Sequence, residues 1–144
     1  METPIGIVLV EDNPADALLV QTALQEAGLV FDLKVFSDGE EIIRFIDGID
    51  AAQPLVPAPD LILLDWNMPR YTGEEVLQHL RQSERCAKTA VIVLTSSQSP
   101  KDRERALQLG VADYFSKPCD YEEFMKLGER VKAFVQANKT EPVA

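Results

Sequence analysis

The stretch Leu61-Ile62-Leu63-Leu64-Asp65-Trp66-Asn67-Met68-Pro69 sets four consecutive apolar residues directly before an acid and a turn that closes on proline. A strand with one wet face alternates apolar and polar residues, so an unbroken apolar run suits a parallel strand covered on both sides. Ile5 to Val10, Leu33 to Phe36, Val91 to Leu94 and Val111 to Phe115 are further short runs, and four of the five are nearly all apolar. They predict five strands.

Between the runs lie helix signals with identifiable ends. Asn13-Pro14 places a capping side chain before proline at the first helical position, and Gly28 supplies the stop. Thr72 with Glu75, and Asp120 with Glu123, have capping-box spacing; Ser99-Pro100 repeats the cap-then-proline start, with Gly110 as its stop. Phe124, Leu127, Val131, Phe134 and Val135 recur at three- and four-residue intervals, which predicts one apolar stripe on the last helix.

The order is therefore strand then helix, five times over. Right-handed crossovers between parallel strands place helices on both faces of one sheet, giving an α/β, doubly wound, five-stranded fold. The segment from Gly48 to Pro59 carries Pro54, Pro57 and Pro59 among small residues and reads as a long loop inside the domain. No internal repeat or second domain is evident.

The 144 residues fit one domain, and 46% hydrophobic with 26% charged residues fits a globular chain with one core. Lys and Arg number 14 against 24 Asp and Glu, a net charge of -10, which argues against direct binding to nucleic acid or anionic lipid. No apolar run approaches the ~20 residues needed to span a membrane, and a cytoplasmic location is expected. Cys86 and Cys119 have no CxxC spacing and no histidine cluster, so both read as reduced thiols.

In an open parallel sheet, ligands collect beyond the carboxyl ends of the strands, near the point where the strand order reverses. The first strand ends in Glu11-Asp12, the third in Asp65, the fourth in Thr95-Ser96-Ser97 and the fifth in Lys117-Pro118. Two carboxylates about 5 Å apart repel by roughly 3 kcal/mol at an effective dielectric near 20, so three together call for a cation. With oxygen ligands alone, magnesium is the natural choice. Glu11-Asp12 alone could be a solvated turn capping the first helix. Asp65 is different, because Thr72-Gly73 already starts the next helix and Asp65 is left without a structural task. Its carboxylate can act as a nucleophile toward phosphorus once a metal screens the repulsion.

Together, Val8-Leu9-Val10-Glu11-Asp12-Asn13, Leu63-Leu64-Asp65 with Met68-Pro69 and Gly73, Leu94-Thr95-Ser96, Gly110 to Tyr114, and Ser116-Lys117-Pro118 resemble the receiver domains of two-component response regulators. The likeness runs from about Pro4 to about Gln136 and implies a receiver domain over residues 1–137 with a short tail at 138–144. It implies a flavodoxin-like fold with strand order 2-1-3-4-5 and a signalling switch, not an enzyme. It implies Asp65 as phosphoacceptor, magnesium held by Asp12, Asp65 and the Asn67 carbonyl with Glu11 helping through water, and Lys117 and Thr95 on the phosphoryl group. Tyr114 matches the aromatic switch residue, expected to swing inward on phosphorylation. The partner implied is a sensor histidine kinase.

Glu11-Asp12-Asn13-Pro14-Ala15-Asp16 and the proline-rich segment resemble, more narrowly, the small regulators that serve bacterial phytochromes. Those commonly form homodimers through the fourth helix, fifth strand and fifth helix, here expected to use the stripe ending in Phe134 and Val135. Trp66 is a large residue next to Asp65, Ser97 with Asn67 is expected to alter access of the hydrolytic water, and His79 reads as a surface histidine.

Other readings are weaker. A phosphatase with an aspartate nucleophile generally needs a second acid two residues on, where this chain has Asn67, which cannot deliver a proton. A flavodoxin-like carrier would hold its flavin phosphate in a first loop that here carries three acids. A degenerate receiver acting as a docking module would lack part of the Glu11, Asp12, Asp65, Thr95 and Lys117 set.

Overall fold

The computed structural model describes residues 3–51 and 57–139. Its elements are β1 (Ile5–Val10), α1 (Pro14–Glu26), β2 (Phe31–Phe36), α2 (Gly39–Ala51), β3 (Leu61–Asp65), α3 (Gly73–Gln82), β4 (Ala90–Thr95), α4 (Pro100–Gln108), β5 (Asp113–Ser116) and α5 (Tyr121–Lys139). The strands form one sheet in the order β2-β1-β3-β4-β5, and every pairing is parallel. β3 and β4, buried almost throughout, lie in the interior of the sheet, while β2 at the edge mixes half-buried and exposed residues.

Strand pleating sorts the core into two halves. Ile7, Leu9, Leu61, Leu63, Ile92 and Leu94 face α1 and α5; Val8, Val10, Ile62, Leu64, Val91 and Val93 face α2 and α3. Phe124, Leu127 and Val131 are buried in the first half, and Phe134 and Val135 pack against it. Phe124, Leu127 and Val131 are therefore spent inside the domain, while Phe134 and Val135 at the end of the stripe stay half-buried.

Helix ends follow the chemistry of their caps. Asn13 Oδ1 accepts from the Ala15 and Asp16 amides, and Thr72 with Glu75 makes a complete capping box. Gly28 and Gly110 each take φ +78°, the left-handed turn that favours glycine. Two caps differ from expectation. Asp120 accepts from the Glu122 amide, and Ser99 makes no side-chain cap, while the Ser97 hydroxyl accepts from the Ser99 amide and donates to the Asp102 carboxylate.

The expected loop from Gly48 begins later, since α2 continues through Ala51. Proline excludes helix at itself and disfavours it in the residue before, so Pro54 leaves Gly48 to Ala51 free to be helical. Pro54 itself lies outside the described residues, as do 140–144 of the expected tail, whose first residues, Asn138 and Lys139, belong to α5. β5 starts at Asp113, two residues later than read, because the Val111 amide still bonds Ala106 of α4.

Arg81 secures the sheet end opposite the acids. Its guanidinium donates to the carbonyls of Ala87, Thr89, Leu109 and Gly110, joining α3, the start of β4 and the end of α4. Among the described residues no helix is long and apolar enough to cross a membrane.

Candidate functional site

The strand order reverses between β1 and β3, and the acids stand at the carboxyl ends of those two strands. Glu11 follows β1, its backbone amide bonded to the Phe36 carbonyl, and is 2% exposed. Asp65 closes β3 and is 4% exposed; Asp12 is exposed. One carboxylate oxygen from each of these three lies within 4.8 Å of the others.

Lys117 leaves β5 with its backbone amide on the Thr95 carbonyl, 2.7 Å away, so that its side chain crosses the strand ends. Its Nζ sits 2.6 Å from Glu11 Oε1, 3.0 Å from Asp16 Oδ2 and 3.7 Å from Asp65 Oδ2. Asp16 is the site residue that the sequence reading noticed only as part of a local acidic run. Its signal was its place in the first turn of α1, four residues after Asp12.

The turn after Asp65 is held tightly. The Trp66 amide bonds Leu94, and the Gly73 amide bonds the Trp66 carbonyl. A Cβ at Gly73 would stand 2.7 Å from the Trp66 Cα, so only glycine lets α3 begin this close to the turn. Trp66 is buried in the core. Asn67 donates from its backbone amide to Asp65 Oδ1 and from Nδ2 to Thr95 Oγ1.

Burial, followed by the hydrogen bond and negative charge of Glu11, raises the Asp65 carboxyl to about 8 against the pull of Lys117 and the Asn67 amide. Burial alone would lower Lys117, but Glu11, Asp65 and Asp16 outweigh it and the ammonium is held more firmly than usual. The donor set is oxygen only, crowded and short of positive charge, and it fits a hard divalent cation.

A stability prediction follows directly. An unfolded Asp titrates near ~4, so between about pH 4 and 8 the metal-free folded state keeps a proton that the unfolded chain has lost. That contribution is present in full below about pH 4 and disappears as pH rises toward 8. Urea unfolding in chelator should show the parent losing stability relative to Asp65→Asn across this window. Parallel pH profiles for the two proteins would contradict it.

A model of the response regulator receiver domain matches residues 7–128. The chain belongs to that family. This receiver domain is 32% identical over 141 residues to the response regulator Rcp1 of Synechocystis, covering 98% of this chain and 95% of that one. The structure of Mn2+-bound Rcp1 superposes with TM-score 0.81 at 31% identity, covering 97% and 100% of the two chains. The phosphorylated cyanobacterial phytochrome response regulator RcpA gives TM-score 0.81 at 28% identity, covering 98% and 100%.

The receiver domain brings together Glu11, Asp12, Asp65, Asn67, Thr95 and Lys117 as read from its sequence. Tyr114 is on β5 and only 7% exposed, with Arg103 5.8 Å above its ring and its hydroxyl without a hydrogen-bond partner. The ring thus already occupies a buried position, whereas the sequence reading had it moving inward. His79 lies apart, on α3, 2.7 Å from Asp47 of α2. Cys86 is buried, Cys119 exposed, and both are free thiols.

Proposed function

We propose that this receiver domain accepts a phosphoryl group on Asp65 from a histidine kinase, with magnesium as cofactor. The observation that carries the reading is Asp65 itself: a buried carboxylate at the switch point, set among two acids and a lysine and steadied by the Asn67 backbone amide. Glu11, Asp12, Asp65 and the Asn67 carbonyl would hold the ion. When bound, it keeps Asp65 ionised and neutralises charge on the phosphoryl oxygens.

An Asp65 oxygen forms the new bond to phosphorus as the bond to the donor's imidazole nitrogen breaks, and the electron pair leaves with that nitrogen. Lys117 lies close enough to Asp65 to meet a phosphoryl oxygen after releasing part of its hold on Glu11 and Asp16. Thr95 stands across the site as a hydroxyl donor, and Tyr114 lies beside it on β5 as the residue that carries the change to the surface of α4, β5 and α5.

Similarity to RcpA, a cyanobacterial phytochrome response regulator, supports a bacterial phytochrome as the kinase. A homodimer through α4, β5 and α5 is the accompanying reading, using the outward residues of those elements. The net charge of -10 disfavours nucleic acid as the direct target, and a cytoplasmic setting suits a kinase partner. The domain is taken to act as a switch without turnover of an outside substrate; the complete acid, lysine and hydroxyl set disfavours a docking module that never reacts.

Incubation with magnesium and acetyl phosphate, followed by intact-mass measurement, tests this. One phosphoryl adduct is expected on the parent and none on Asp65→Asn. No adduct on the parent would sink the reading, and an adduct that persists in the variant would assign the chemistry elsewhere.

A further inference from the structure

A hydroxyl group has two lone pairs to accept with and one proton to give. Thr95 Oγ1 receives the Ser97 backbone amide at 2.9 Å and Asn67 Nδ2 at 3.1 Å. Both acceptor positions are thus filled, and any new contact that Thr95 makes has to be made as a donor. The residue is fully buried, so water does not compete for the hydroxyl.

Asn67 also reaches the other side of the site. Its backbone amide donates to Asp65 Oδ1 at 3.2 Å, so one residue bonds the carboxylate through its main chain and the hydroxyl through its side chain. The spacing between Asp65 and Thr95 is set by a single rigid turn, itself fixed by Gly73 against Trp66.

We propose that the Asn67 carboxamide is a positioning residue for phosphoryl transfer: by filling an acceptor site on Thr95 it turns that hydroxyl into a dedicated donor aimed at the phosphoryl oxygens. The inference rests on the reading of Asp65 as the phosphoacceptor. The residue itself touches no phosphoryl oxygen in this role; it acts through Thr95. Preorganising a donor before charge develops spares the reaction the cost of reorienting it.

The test is a double-substitution cycle read as the initial rate of Asp65 phosphorylation by acetyl phosphate with magnesium. Asn67→Leu, similar in size but without a donor, should slow the parent about tenfold, the scale of one hydrogen bond to a charged group. In a Thr95→Val background the same change should do nothing beyond about twofold. Asn67→Ala is carried alongside as a smaller truncation, and urea midpoints are taken for every protein so that loss of fold is seen separately.

Equal slowing in both backgrounds, or no slowing in the parent, would overturn the role of Asn67 while leaving Asp65 as the acceptor. Failure of the parent to take any phosphoryl group would overturn both, and it is distinguished from the first case by the absence of an adduct on unsubstituted protein.

Discussion

Lys117→Met is expected to cost the metal-free domain about 3 kcal/mol at pH 8, the lower end of what breaking a buried ion pair costs. The side chain of Lys117 is 9% exposed, and that of Glu11 is wholly buried. Once the ammonium is gone, Glu11 keeps the Asn13 amide at 3.2 Å and the hydrogen bond to protonated Asp65, and as Asp65 ionises no lysine charge opposes their repulsion. Two conditions should repair the loss. Lower pH lets the carboxyls protonate, and a divalent cation replaces the missing charge. Urea unfolding at pH 8 and pH 5, with chelator and then with magnesium, checks both. A deficit that is the same under all conditions would mean that Lys117 acts through packing of its stem and not through its charge.

Gly128→Ala should destabilise by about 2 kcal/mol, although the usual sign in a helix is the reverse. Alanine is better than glycine in a helix interior by up to ~1 kcal/mol, and overpacking costs ~1–3 kcal/mol, so the outcome depends on the space available. At Gly128 a Cβ would stand 2.1 Å from the Ala23 carbonyl oxygen and 3.0 Å from the Ala27 Cβ. The obstacle is backbone, and α1 and α5 would have to separate. Gly48, in α2, is the control: nothing lies within 4 Å of its missing Cβ, and Gly48→Ala should be neutral or stabilising. Destabilisation by both would remove the packing explanation.

These two positions mark the limits of what the sequence makes legible. The strands of the sheet interior were evident because parallel pairing leaves no wet face, so that Leu61 to Leu64 could be nothing but apolar. The edge strand β2 was read two residues short, since Phe31-Asp32 alternates as an edge does and lacks the solid run. The period of α5 was plain, yet period gives a face without naming its partner, and the face turned out to meet α1. Local spacing likewise gave Glu11, Asp12, Asp65, Lys117 and Thr95, because each ends or directly follows a strand. It could not give the Lys117 contact to Asp16, 101 residues away, or the bond from Asn67 to Thr95, which depends on how two loops lie side by side.

The chain has one tryptophan, and it is the residue immediately after Asp65. Indole emission from this protein therefore arises at a single place, one peptide unit from the acids and shielded from bulk solvent by the core. On the proposed reading of Asp65, metal binding or acylphosphate formation there would change the field across that ring, and the indole would then serve as an intrinsic optical probe of the site. Rates and affinities at the site are open to measurement on unlabelled protein, with no second fluorophore of the same kind to subtract.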